Sequence, residues 1–226
     1  MTALLEFHNR NRPQTTGEEI ANSITHGIGC LAAVVITPFL IIKAIPFGPA
    51  AITGASIFGA AMIILYLTST LFHSLPQGRG KRIFRMLDHC AIFLLIAGTY
   101  APFTLAVLDG AWGWTLFAII WTLAIAGIVI KALSSGGTSR LSIALYVSMG
   151  WLAVLAVKPL YETMPGWGLF WILAGGIMYT GGVIFFAYDH RLKYNHFIWH
   201  LFVLAGTGCH VVAVMGYAFL DPLIGK

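Results

Sequence analysis

Seven stretches of about twenty mostly apolar residues, at 20–42, 50–75, 84–108, 112–132, 141–157, 167–188 and 194–220, take up nearly the whole chain. A run of that length crosses the hydrocarbon core of a bilayer as one α-helix. The runs are too long and too continuous for barrel strands, which alternate over about ten residues. Charge is scarce to match: 9% of the 226 residues are Asp, Glu, Lys or Arg and 58% are hydrophobic, whereas a soluble domain carries about a quarter charged residues. A water-facing surface cannot be built from so few charges, and a disordered chain is excluded by the same composition. The reading is an all-α membrane protein, a seven-transmembrane helix bundle.

Proline and glycine punctuate the runs: Pro46, Gly48 and Pro49, then Pro76, Gly78 and Gly80, then residues 134–137, then Pro159, Pro165 and Gly166. The fifth run is the shortest. Thr16, with Glu19 three residues later, reads as a capping box at the start of the first helix. Pro38 and Pro102 fall inside spans, where neighbouring groups must satisfy the backbone they free. The domain reading is an N-terminal segment at 1–19, a seven-helix domain at 20–220 and a short tail at 221–226. The first twenty residues lack the apolar centre of a cleaved signal peptide.

Loop charges give an orientation. With seven spans, Arg10, Arg12, Arg79, Lys81, Arg82, Arg85, Lys131, Arg140, Arg191 and Lys193 share the N-terminal side, leaving Lys43, Lys158 and Lys226 on the other. The positive-inside rule then predicts a cytoplasmic N-terminus and an outer C-terminus. Trp112, Trp114, Trp167 and Trp171 fall at the expected outer ends, as an aromatic belt does. The net charge of +5 comes with no basic stripe, so nucleic acid is not the expected partner. Membrane lipid is, as environment and as possible substrate; no pattern specifies an oligomeric state. Cys30, Cys90 and Cys209 lie in or beside apolar runs and show no disulfide or Cys-x-x-Cys spacing.

Ionisable groups inside spans are costly and mark function. Glu19, Asn22 and His26 recur at steps of three and four, on one face of the first helix. The second run ends in Ser69-x-x-x-His73, the third opens on Asp88-His89, and the seventh opens on His196-x-x-x-His200. The expected topology puts all of these within about 10 Å of the cytoplasmic boundary, at 1.5 Å per helical residue. Such a set suits zinc: His73, His196 and His200 as three imidazole ligands, Asp88 to orient or deprotonate a water, Ser69 as a hydrogen-bonding neighbour. Plainer readings stand beside these. The paired histidines suit bonds between helices, Asp88 suits a cap on the third helix, and Ser69 suits simple packing. For Glu19, Asn22 and His26 a polar cluster locking the first helix is the favoured reading. His89 turns about 100° away from Asp88 on a helix, and His210 lies about 15 Å beyond His200; His210 is expected to be a core histidine bonded to a carbonyl or hydroxyl.

The segments EIANSITHG at 19–27, STLFH at 69–73, DHCAIF at 88–93 and YNHFIWH at 194–200 resemble the hemolysin III family. That family sits with the progestin and adipoQ receptors, including adiponectin receptors, in a superfamily shared with alkaline ceramidases. The resemblance runs in order through nearly the whole chain. It implies a seven-helix, N-in fold, zinc on His73, His196 and His200, and contact of Asp88 and Ser69 with the water beside that metal. Glu19, Asn22 and His26 match a family signature without an agreed role. The expected setting is a multi-pass protein of a bacterial cytoplasmic membrane. Three functions follow in order: a zinc-dependent hydrolase of a lipid amide or ester, a membrane-homeostasis sensor with structural zinc, and, last, a pore-forming cytolysin.

Overall fold

A computed structural model describes residues 12–108, 110–134, 140–189 and 191–219. Arg10, His190, Leu220 and the tail at 221–226 lie outside the described residues, as do 1–11, 109 and 135–139. Among the described residues all regular structure is helical, with seven helical spans long and apolar enough to cross a membrane. In lipid, backbone polar groups have no water to bond, so each apolar run closes its bonds internally as a helix. The elements are α1 (Thr16–Ala44), α2 (Pro49–Ser74), α3 (Arg79–Pro102), α4 (Gly110–Leu133), α5 (Arg140–Gly150), α6 (Val157–Thr163), α7 (Gly166–Ala187) and α8 (Asn195–Ala213).

The start of α1 corrects the expected cap. Thr15, not Thr16, is the N-cap, and its partner is Glu18: the Glu18 N–H donates to Thr15 Oγ1 at 3.4 Å and the Thr15 N–H donates to Glu18 Oε2 at 2.9 Å. Glu18 is also gripped by the Arg12 guanidinium at 2.8 and 2.5 Å and accepts the Tyr194 N–H at 2.8 Å. These added partners select the one-residue shift, and the shift leaves Glu19 free to face the bundle. The Arg12 pKa is raised above its ordinary value by its hydrogen bond to Glu18.

The bundle has its polarity reversed relative to a soluble protein. Along α1, Ile20, Ile24, Ile28, Leu31, Val35 and Phe39 are exposed, while Asn22, His26, Gly29 and Ala33 are buried. The outward face therefore suits lipid, and the inward face carries the polar groups. Packing is tightest between α1 and α2, α2 and α3, and α7 and α8. Between α7 and α8 the fit depends on Gly175, where a Cβ would lie 2.3 Å from His210 Nε2. His210 uses that space to donate from Nε2 to the Ile172 carbonyl at 3.2 Å, the core role expected of it. Gly48, at φ +87°, makes the turn between α1 and α2 that a side chain would strain.

The fifth span is broken, which explains its short apolar run. It comprises α5, a 3₁₀ turn at Leu152–Ala156, and α6. The break frees backbone groups that one phenol satisfies: Tyr100 Oη lies 2.9 Å from both the Met149 and Gly150 carbonyls, to which it donates, and accepts the Ala153 N–H at 2.9 Å. Pro102 similarly ends α3 in a wider turn, where Thr104 Oγ1 donates to the Tyr100 carbonyl at 2.9 Å. Tyr100→Phe leaves those groups unsatisfied without changing shape. It is expected to lower stability by about 1–3 kcal/mol, read as a reduced thermal midpoint of the detergent-solubilised protein.

Candidate metal centre

Two helix ends converge on one point. The last turn of α2 brings His73, and the first two turns of α8 bring His196 and His200, whose i, i+4 spacing puts them on one face. One ligand nitrogen from each imidazole lies within 4.8 Å of the others. These three side chains can hold a metal ion. Tetrahedral zinc asks for nitrogens about 3.4 Å apart, from Zn–N lengths near 2.1 Å. His73 and His200 are buried, and His196 is nearly so.

The chemistry of the surroundings fits such an ion. His73 donates from Nδ1 to Glu19 Oε2 at 2.7 Å, His196 from Nδ1 to Asp189 Oδ2 at 3.3 Å, and His200 from Nδ1 to the Asn22 carbonyl at 3.3 Å. With each Nδ1 committed as a donor, each Nε2 presents a lone pair, the tautomer a metal requires. The Nε2 atoms of His73 and His196 are buried without a hydrogen-bond partner. Two anions and a carbonyl behind three imidazoles make the set more basic toward a cation.

The α1 stripe is brought into this centre. Glu19 bonds His73 and also pairs with Lys81 Nζ at 2.9 Å. Asn22 holds His200 through its backbone, and His26 Nδ1 lies 2.7 Å from Ser69 Oγ. The stripe bonds α1 to its neighbours, twice through candidate ligands and once through Ser69. Glu19 therefore joins Asp88 as an acid inside the spans beside those ligands, where the sequence pointed to Asp88 alone. Lys81 was grouped with the loop charges; it turns inward and also donates to the Phe72 and Leu75 carbonyls at 3.0 and 3.2 Å, satisfying the end of α2.

Asp88 is not a helix cap. Because α3 starts at Arg79, Asp88 sits in its third turn, buried. Asp88, His26, His196 and His200 line one end of a cavity of about 130 Å³. Its remaining wall is largely apolar and includes Leu95, Phe103, Leu108, Leu116 and Val203. His89, buried on α3, is not among the three clustered imidazoles, and His210 lies farther along the same cavity.

Two participants escaped sequence reasoning. Asp189 lies in a loop where charge is ordinary, and the available signal was a carboxylate seven residues before His196. Tyr194 carries no polar signature, yet its φ of +62° is a left-handed conformation that a non-glycine residue adopts at a cost. Glu18 stabilises it by accepting its N–H, which sets the entry of α8 two residues before His196.

Comparison with known proteins finds relatives over most of the chain. The profile described as "Haemolysin-III related" matches residues 14–211. The chain is 48% identical to Hemolysin-3 of Bacillus cereus over 205 residues, covering 90% of this chain and 93% of that protein. It is 44% identical to the Hemolysin-3 homolog of Bacillus subtilis (strain 168) over 211 residues, covering 93% and 99%. A more distant similarity, 29% over 177 residues and 74% and 71% of the two chains, is to the human Monocyte to macrophage differentiation factor.

Glu19→Gln and Asp189→Asn each weaken the hold on a ligand imidazole without removing it. Each is expected to lower metal affinity about 10–100-fold, measured by competition with a chelator of known affinity.

Proposed function

This chain belongs to the haemolysin-III related family, and from that premise we propose that it is a zinc-dependent hydrolase of an acyl lipid. The bond cleaved is an amide or ester, and the site lies at the cytoplasmic-leaflet end of the bundle, as the loop charges imply. One observation supports this reading most: the candidate ligands His196 and His200 and the buried Asp88 line the same cavity, whose other walls suit an acyl chain. Structural metal sites have no need of such a chamber, whereas a lipid hydrolase requires one.

His73, His196 and His200 would hold the zinc, which would supply Lewis acidity to polarise a carbonyl and to acidify water near neutral pH. Asp88 accepts the proton of the attacking water, whose oxygen bonds the acyl carbon. The C–N or C–O bond then breaks, and the proton passes from Asp88 to the leaving nitrogen or oxygen. Ser69 orients Asp88 from α2. The apolar wall excludes bulk water and positions the chain.

Membrane homeostasis with a structural metal remains the alternative function, and the assay below separates the two. Pore formation ranks below both. A pore needs a polar path across the whole span, and Leu108, Leu116 and Leu160 line the end of the cavity away from His196 and His200.

Purified protein given N-acyl and O-acyl lipids is expected to release fatty acid, and Asp88→Ala to release it at least about 100-fold more slowly. Equal release by both proteins overturns the proposal; no release from protein that retains its metal assigns the structural role. In elemental analysis, zinc is expected to fall to background in the His196→Ala/His200→Ala double variant, and unchanged zinc removes the proposed site.

A further inference from the structure

Along the apolar length of the cavity, two polar side chains keep hydrogen-bonding capacity that the fold does not use. Thr99, Thr104, Thr180, Tyr100 and Tyr146 also line the cavity, and each donates to a backbone carbonyl. His210 on α8 and Tyr179 on α7 line it beside each other, with ring centroids 5.5 Å apart. His210 follows His200 by ten residues, which places the pair about 15 Å farther along α8 than the candidate metal centre.

His210 is 8% exposed, and its Nδ1 is buried with no hydrogen-bond partner. The bond from Nε2 to the Ile172 carbonyl fixes the tautomer, because a carbonyl only accepts. A charged imidazole inside a span needs a counter-charge, and among the described residues no acidic side chain bonds this ring. Nδ1 is therefore an acceptor. A Cβ at Gly175 would lie 2.3 Å from Nε2, 2.4 Å from Cδ2 and 3.0 Å from Cε1, so Nδ1 belongs to the ring edge turned away from that glycine of α7.

Tyr179 supplies the complement. Tyr66 Oη donates to Thr207 Oγ1 at 2.8 Å, and Tyr179 Oη lies 2.7 Å from the same oxygen. Three hydroxyls carry three protons, and the two bonds between them use two. Thr207 lacks the bond to a carbonyl one turn back that Thr104 makes, and among the described residues its proton has no acceptor but Tyr179 Oη. Thr207 therefore donates to Tyr179, and the proton left over is that of the Tyr179 phenol. An acceptor and a donor side by side are satisfied together by one hydroxyl group, which donates to Nδ1 and accepts from Oη. A ketone, ether or ester oxygen only accepts and leaves Nδ1 unmatched, and a methylene leaves both groups unmatched, at a cost in desolvation.

We propose that His210 and Tyr179 form a second recognition point in the cavity, for a hydroxyl group carried partway along an acyl chain. This goes beyond the hydrolase reading and takes from it only that the carboxyl end of the chain lies at the imidazoles. Depth then selects the position. An extended chain advances about 1.25 Å per carbon, so a hydroxyl about a dozen carbons from the carboxyl end reaches the pair.

The test uses the full zinc-loaded chain in detergent and two positional isomers, 12-hydroxyoctadecanoate and 6-hydroxyoctadecanoate, each displacing a fluorescent fatty acid. Wild type is expected to bind the 12-isomer about tenfold more tightly, the scale of one buried hydrogen bond. Tyr179→Phe and His210→Phe are each expected to bring the ratio within about threefold at unchanged zinc content; lost packing alone weakens both isomers alike and leaves the ratio where it was. Equal affinities in wild type, or no displacement by either isomer, overturn the proposal with no variant needed and leave the pair as a site for water only. So does a ratio undiminished in Tyr179→Phe, the variant closer in shape, or in His210→Phe. Fatty-acid release from acyl lipids is scored separately. Positional preference without release keeps the present inference and removes the hydrolase, and release without positional preference does the reverse.

Discussion

Glu19 is the residue through which three helices meet. Its carboxylate takes the Nδ1–H of His73 from α2 on one oxygen and the ammonium of Lys81 from α3 on the other. A charge inside a span is tolerated only when paired and hydrogen-bonded, and here the pairing does structural work at the level where the imidazoles converge. Lys81 in turn covers the last carbonyls of α2, so the same contact ends that helix and presents His73.

From that contact outward the bundle divides into a polar end and an apolar length. At the polar end, three imidazoles hold ligand nitrogens within 4.8 Å of one another, His26 is bonded to Ser69, and Asp88 and His26 line the cavity beside His196 and His200. Such orientation is what separates a site from a collection of ligands, because a ring with its tautomer fixed presents its lone pair without reorganisation. Along the apolar length, the cavity runs beside the broken fifth span. Irregular backbone at membrane depth is tolerated where it lines a chamber and finds internal partners, and Tyr100 and Thr180 provide them: the first at the broken backbone, the second by accepting the Trp151 indole N–H at 3.0 Å.

The candidate site was legible in part because its residue types are rare in an apolar chain. A histidine or aspartate within a span stands out against leucine and valine, and helical spacing alone places His196 with His200, and Glu19 with Asn22 and His26. Partners outside that logic were not legible. Asp189 and Lys81 sit in or next to loops, where charge is ordinary, and only the folded chain shows them turned inward. The cap at Thr15 was missed because Thr15 with Glu18 and Thr16 with Glu19 both satisfy the pattern. The choice between them comes from Arg12 and Tyr194, residues too far apart in sequence for a local rule to weigh.

The chain's amino acids alone determined that it crosses a membrane seven times as helices, because lipid leaves the backbone no other way to bond, and that its few polar groups gather toward one end. Only the tertiary structure decided what those groups do to each other. Rotation of α1 about its axis, set by packing rather than by periodicity, gave Glu19 to His73, the Asn22 carbonyl to His200, and His26 to Ser69. Periodicity puts residues on a shared face, but which neighbour that face meets, and which nitrogen is left without a partner, depend on contacts between residues far apart in sequence.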